Sequence, residues 1–180
     1  MANPVSVEVY TTSHRVLGRI QPGSAGLYGF MNDRTHSTIE VEGAHLTRLQ
    51  QPARLVARYP RLWMSKREIS ALLLSTRTEM GPVSMTRHGY SNVIQQWVHV
   101  MLAGYELRGA MESPGRLDIS GVMTEDEFSF APIYEAQLQS ILFPSIEANS
   151  PAVLFNSGAV TAICPLPKDD IPPSSAGTPA

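Results

Sequence analysis

The stretch GFMNDRTHSTIEVEGAHLTRLQQP, residues 29–52, decides the fold because its pattern returns at residues 121–144, GVMTEDEFSFAPIYEAQLQSILFP. Nine positions carry the same residue, or a closely similar one, at a constant spacing of 92. The matched pairs are Gly29 and Gly121, Met31 and Met123, Asp33 and Glu125, Ser37 and Ser129, Val41 and Ile133, Ala44 and Ala136, Leu46 and Leu138, Leu49 and Ile141, and Pro52 and Pro144.

The repeat extends on both sides at a spacing of 91. Three collinear blocks, separated by single-residue slips where turns are expected, indicate an old tandem duplication. Before the central stretch, Val7, Val9, Gly18 and Ile20 match Val98, Val100, Gly109 and Met111. After it, Pro60, Leu62, Ile69, Ala71 and Leu72 match Pro151, Val153, Val160, Ala162 and Ile163.

The repeat predicts the domain organisation of the 180-residue chain. We expect a first unit over 1–75, an irregular linker over 76–96, a second unit over 97–166 and a flexible Pro/Ser-rich tail over 167–180. A unit of this size buries only ~60% of the surface that its unfolded chain exposes. Each unit is therefore expected to gain stability by packing against its twin or against another chain.

The period of the apolar residues predicts an all-β protein. Each unit has about five short stretches typical of strands, with Gly18 expected at a bulge and 50–60 expected as a loop. Five short strands enclose a core by curling, so we expect two tandem small β-barrels. The predicted strands cover 5–20, 27–32, 38–49, 62–64 and 68–74, and then 97–111, 117–123, 128–141, 153–155 and 159–166.

Composition indicates a globular protein, with 43% hydrophobic and 17% charged residues. The single cysteine, Cys164, excludes an intramolecular disulfide, and its apolar surroundings predict a buried, inert thiol. The N-terminus lacks the pattern of a signal peptide, and no apolar run is long enough to span a membrane. We therefore expect a cytoplasmic protein.

The two units differ in charge. Residues 1–75 hold nine Lys/Arg and five Asp/Glu, a balance of +4, whereas residues 76–180 hold five and eleven, a balance of −6. One interpretation is drift on solvated faces. The other is that a positive unit meets a negative one, within or between chains. Head-to-tail contacts between chains build rings or filaments.

The sequence holds no recognisable catalytic or cofactor motif. The five histidines show no metal-ligand spacing, and neither a phosphate-binding loop nor a nucleophile elbow is found. We therefore predict a protein that is not an enzyme and has no cofactor. The residues expected to contact a protein partner are three arginines in the predicted loop region, an aromatic residue and an apolar turn, namely Arg54, Arg58, Arg61, Trp63, Leu142 and Phe143. Burial of Trp63 in the core is the alternative interpretation.

The first unit resembles an Sm-like barrel. Residues 26–32, GLYGFMN, lie where that family has the loop ending in an Asn, and residues 64–69, MSKREI, lie where it has a basic turn and its final strand. The resemblance implies a ring whose loops hold single-stranded RNA, with Asn32, Lys66 and Arg67 as the binding residues. The sequence thus favours an assembly protein, with RNA binding through the basic first unit as the alternative.

Overall fold

The computed structural model describes residues 3–82, 93–124, 129–167 and 170–171. Its ten strands form one sheet in which every neighbouring pair is antiparallel, so the all-β prediction is confirmed. The strands are β1 (Val5–Thr11), β2 (His14–Ile20), β3 (Thr38–Arg48), β4 (Gln51–Ser65), β5 (Ile69–Leu74), β6 (Ile94–Leu102), β7 (Tyr105–Ser113), β8 (Phe130–Ser140), β9 (Glu147–Asn156) and β10 (Val160–Pro165).

The strand order of the sheet is β10-β6-β7-β8-β9-β5-β1-β2-β3-β4. The first five strands have the internal order 5-1-2-3-4, and the last five repeat that order as 10-6-7-8-9. The two halves meet where β9 pairs with β5. The strands at the two ends of the described sheet are therefore β4 and β10, each with a single neighbour.

The region 5–20 forms the hairpin of β1 and β2 rather than one strand, with a turn at Thr12 and Ser13. The predicted bulge is confirmed, because the register between β2 and β3 shifts at Gly18. A Cβ at Gly18 would lie 2.9 Å from the carbonyl oxygen of Glu42. The close approach of β3 therefore requires glycine at this position.

Two stretches predicted as strands are helical. Helix α1 (Gly26–Met31) replaces the strand expected over 27–32, and helix α2 (Ile119–Thr124) replaces that expected over 117–123. In α1, Leu27 and Met31 are four residues apart and both fully buried, which is the spacing of one helix face. A run of six residues was too short for the two periods to be distinguished.

The expected loop over 50–60 is also wrong, because β4 runs without a break from Gln51 to Ser65. It pairs with β3 along its length, and the pair forms the longest hairpin of the sheet. Pro52 and Pro60, which suggested a loop, lie on a strand with a free edge. Proline is tolerated there because one side of an edge strand needs no ladder hydrogen bonds.

The core consists of two hydrophobic clusters, and each includes residues from both halves. The first is built mainly on β1, β2, β3 and β5 but includes Phe130 and Leu154. The second is built mainly on β6 to β9 but includes Tyr10, Leu49 and Leu73. The junction between the halves is thus part of the hydrophobic core.

Two of the predicted segments lie partly beyond this description. Residues 83–92 of the expected linker, and 168–169 and 172–180 of the expected tail, are outside the described residues. The linker begins with a 3-10 helix, Arg77–Met80, with a Thr76 capping box. Within the ranges that the structure covers, the helices are too short to traverse a lipid bilayer.

Candidate assembly interface

The junction of β5 with β9 is the internal contact from which the candidate interface follows. Its register places Leu72 opposite Leu154 and Leu73 opposite Val153. All four side chains are buried, and three of them are completely inaccessible to solvent. The junction therefore combines backbone pairing with apolar packing on both faces of the sheet.

Two polar side chains of β9 complete this junction. The buried Ser150 hydroxyl donates to the Leu74 carbonyl oxygen at 2.8 Å and accepts from the Leu74 N–H at 3.3 Å. At the other end, the Asn156 amide donates to the Ile69 carbonyl oxygen at 3.1 Å. These contacts satisfy backbone groups where the ladder ends.

Asn32 links the two halves a second time. Its Nδ2 donates to the Phe130 carbonyl oxygen at 3.0 Å, and its Oδ1 accepts from the Phe130 N–H at 2.7 Å. The same Nδ2 donates to the carbonyl oxygen of Tyr28 in α1, the helix that ends just before Asn32. The side chain proposed from the Sm-like resemblance to contact RNA thus holds β8 against the first half.

Lys66 is buried, with 1% of its surface exposed. Its ammonium donates to the carbonyl oxygens of Phe30 at 2.8 Å and Asp33 at 2.9 Å, and lies 5.3 Å from the Phe30 ring centroid. Burial lowers the pKa of Lys66, while the Asp33 charge acts in the opposite direction. The Lys66 side chain anchors the end of α1 and the loop after it.

Arg67 is exposed and forms an ion pair with its neighbour Glu68 at 3.0 Å. It lies in a 3-10 helix (Lys66–Glu68) between β4 and β5, where the Sm-like resemblance implied a basic turn. Of the three residues taken from the Sm-like resemblance, Arg67 is the one with an accessible head group. Their role in nucleic-acid binding stays a prediction.

The arginines expected in a loop are instead exposed on β4. Arg54, Arg58 and Arg61 are spread along this edge strand, and Arg61 forms an ion pair with Glu40 of β3 at 3.2 Å. Trp63 follows on the same strand with 62% of its surface exposed. The burial of Trp63 in the core, considered as the alternative, is wrong. The free edge of β4 is therefore both basic and aromatic.

Leu142 and Phe143 form the turn between β8 and β9, far along the chain from β4. Leu142 is 71% exposed, whereas Phe143 is half-buried against the second core cluster. The structure thus groups four of the six predicted partner contacts on β4 and places the other two at a separate turn.

The second free edge, β10, was not predicted as an interface. It pairs only with β6 and carries an exposed Cys164, so the expected burial of this thiol is wrong. Ile163 is half-buried against the second core cluster. The internal repeat could have identified this edge, because β10 is the equivalent of β5 at a spacing of 91 residues. Since β5 is fully buried between two strands, its equivalent is a candidate for the same kind of contact.

Equivalent positions of the repeat differ in burial near this edge. Leu49 is 2% exposed, whereas Ile141 is 53% exposed. Met31 is fully buried, whereas Met123 is 41% exposed. Leu49 and Met31 pack where the first half contacts the second half. Ile141 and Met123 occupy the equivalent positions of the second half, which have no such contact in the described part of a single chain. An exposed set of large apolar side chains marks a contact surface.

Compared with known proteins, the chain matches no protein-family model, no curated protein and no solved structure. Within the described ranges, no three His, Cys, Asp or Glu side chains are close enough together to hold a metal ion.

Proposed function

We propose that the chain is a non-enzymatic assembly protein. In this proposal, two copies of one small β-barrel unit are fused in tandem and successive chains join head to tail. The partner is a second copy of the chain, whose β10 edge pairs with the β4 edge of the first. Identical contacts in one direction generate a ring if the rotation closes and a filament if it does not.

The observation that carries the proposal is the internal contact of β9 with β5. Strand β9 is the fourth strand of the second half, and β5 is the fifth strand of the first half. The strands left at the two ends of the described sheet, β4 and β10, are their equivalents. A shift of 91 residues converts the pair Leu72 and Leu154 into Ile163 and Trp63. The chain thus presents both sides of a junction that it already makes once.

The exposed apolar residues supply the driving force for this contact. Trp63, Ile141 and Met123 are large side chains whose equivalents in the internal junction are buried. Burial of one such side chain from full exposure contributes ~1.5–3 kcal/mol. Because the three side chains are 62%, 53% and 41% exposed, burying what remains contributes about 2–5 kcal/mol in total, which reaches the lower end of the ~4–15 kcal/mol that association loses in translational and rotational freedom. Backbone pairing adds to this sum.

The backbone chemistry of β10 also suits such a contact. In the internal junction, the hydroxyl of Ser150 satisfies the N–H of Leu74. The equivalents of these residues are Tyr59 and Pro165. Tyr59 has no short hydroxyl to offer, but Pro165 has no N–H that needs an acceptor. The pairing therefore leaves no unsatisfied donor at this position.

Light scattering coupled to size-exclusion chromatography tests the proposal. The wild-type chain should form species larger than a monomer that grow with concentration and persist after nuclease treatment. Trp63→Lys, which places a charge on the free edge, should leave a folded monomer. The matched control is Leu17→Arg, because Leu17 is exposed on β2 and its equivalent is already Arg108.

A wild-type chain that stays monomeric at every concentration would refute the proposal. Assembly that disappears with nuclease treatment, together with excess absorbance at 260 nm, would favour the nucleic-acid alternative.

A further inference from the structure

The internal junction contains a charged cavity that has an equivalent at the proposed contact between chains. This cavity of about 220 Å³ lies between the β1–β2 hairpin and the start of β9. Glu8 and Arg15 line one wall and form an ion pair at 2.5 Å, while Glu147 and Asn149 line the other. The phenol of Tyr10 donates to the same Glu8 carboxylate. The cavity thus places one cation, Arg15, between the carboxylates of Glu8 and Glu147.

The strand registers identify the corresponding residues. Arg15 lies opposite Tyr10 on the β1–β2 hairpin, as Glu106 lies opposite Met101 on the β6–β7 hairpin. Asn149 lies opposite Gln137, as Arg58 lies opposite His45. In a contact between chains, Glu106 therefore takes the place of Arg15, and Arg58 takes the place of Asn149.

The charges at the two junctions are inverted. Glu106 is 39% exposed, and its one ionisable neighbour within ion-pair distance in the described structure is His99, at 3.5 Å. Arg58 is exposed, and in the described part of the chain no carboxylate lies within ion-pair distance of it. The contact between chains would thus hold the anion Glu106 where the internal junction holds the cation Arg15, and the cation Arg58 where it holds the neutral Asn149.

We propose that Glu106 of one copy and Arg58 of the next form the ion pair that gives the head-to-tail contact its direction. This inference rests on the proposed function. Glu106 lies in the second half, on the side of the β10 edge, whereas Arg58 lies on β4 of the first half. Contacts of β4 with a second β4, or of β10 with a second β10, do not bring Glu106 of one copy to Arg58 of the other, so the head-to-tail arrangement alone gains this ion pair.

Charge reversal tests the pair directly. Glu106→Arg and Arg58→Glu should each weaken assembly by about tenfold or more at low salt, with a smaller effect at high salt. The double variant should return to within about threefold of the wild-type association constant, since it restores an opposite pair. Sedimentation velocity measures these constants. Arg116→Glu, an exposed change outside both edge strands, is the matched control for Arg58→Glu.

The outcomes separate this inference from the proposed function. Single variants that assemble like the wild type, or a double variant that does not recover, would overturn the ion pair. If Trp63→Lys still abolished assembly in that case, the head-to-tail contact would stand without it. A wild-type chain that never assembles would instead refute the proposed function itself.

Discussion

Glu135 has the same left-handed backbone conformation as Gly43, with φ of +47° and +58°. The two residues are 92 positions apart. Gly43 lies on β3, which has one residue more than β2 where the register shifts between Leu17 and Arg19. Glu135 lies on β8, which has one residue more than β7 where the register shifts between Arg108 and Ala110. Glu135 is the one non-glycine residue with positive φ in the described structure. The second half thus preserves the bulge without the glycine that favours it.

This strain gives the first prediction. Glu135→Gly should raise the free energy of unfolding by about 0.5–1 kcal/mol, because the left-handed conformation disfavours a side chain by ~1–2 kcal/mol and part of that gain is offset by the freer unfolded chain. Urea denaturation measures the change. Gly43→Ala should destabilise the protein by a similar amount. A Glu135→Gly variant less stable than the wild type would contradict the assignment of the bulge.

The second prediction concerns the hydrogen bonds of Asn32. Asn32→Ala should lower the free energy of unfolding by ~1–3 kcal/mol, because the N–H and carbonyl oxygen of Phe130 both lose their partner. The measurement is thermal or urea unfolding, compared with Ser37→Ala at an exposed position nearby. An Asn32→Ala protein of unchanged stability would show that the amide does not hold the two halves together.

Lys66 and Arg67 give a third, paired prediction. Lys66→Met should destabilise the fold by ~1–3 kcal/mol, because the carbonyl oxygens of Phe30 and Asp33 lose a charged donor. Arg67→Met should change stability by less than ~0.5 kcal/mol, since its head group is exposed. Binding of single-stranded RNA by the wild type that only Arg67→Met weakens, with stability unaltered, would instead support the nucleic-acid alternative.

The fourth prediction concerns the pKa of Asp33. Hydrogen bonds from the Thr35 hydroxyl and N–H, followed by one from His36, hold the pKa of this carboxyl well below its usual range. Because the folded-state pKa is the lower one, the stabilisation is present at neutral pH and is lost as the pH falls through that value. NMR titration should locate it below the usual ~3.9, and Thr35→Ala should raise it. A normal pKa in the wild type would contradict the loop geometry.

The sequence predicted strands well where the period of two was long. The region 38–48 and both strands of the first hairpin fall within predicted strands, and Gly18 marks a real bulge. The errors fall where a short run fits two periods, as in α1, or where proline suggested a loop, as at Pro52 and Pro60 in β4. An edge strand accepts proline because one of its sides makes no ladder hydrogen bonds, and edge position depends on the tertiary arrangement.

The candidate interface was half predicted. Arg58 and Trp63 were identified as contact residues, although the arginines were assigned to a loop. The complementary edge was missed, because an exposed Cys164 and a buried Leu73 look alike in an apolar run. Only the strand order reveals that one equivalent is inside the sheet and the other at its end.

A disulfide across the proposed contact is the sharpest test of the pairing of β4 with β10 of the next chain. The backbone polar groups of Leu74 face Ser150 on β9, so those of Leu73 point the other way and the pair Leu73 and Val153 exchanges no hydrogen bonds. In such pairs the Cα atoms lie ~4.5 Å apart, within the range that disulfides span. The equivalents of Leu73 and Val153 are Cys164 and Leu62.

The experiment is mild oxidation of Leu62→Cys, followed by non-reducing electrophoresis. Since Cys164 is the only native cysteine, we predict a ladder of disulfide-linked chains that collapses to monomer on reduction. Val56→Cys is the control, because this exposed position on β4 is six residues from Leu62 and moves the thiol ~20 Å out of register. Failure of Leu62→Cys to cross-link while its fold is intact, or equal cross-linking by Val56→Cys, would contradict the head-to-tail pairing of β4 with β10.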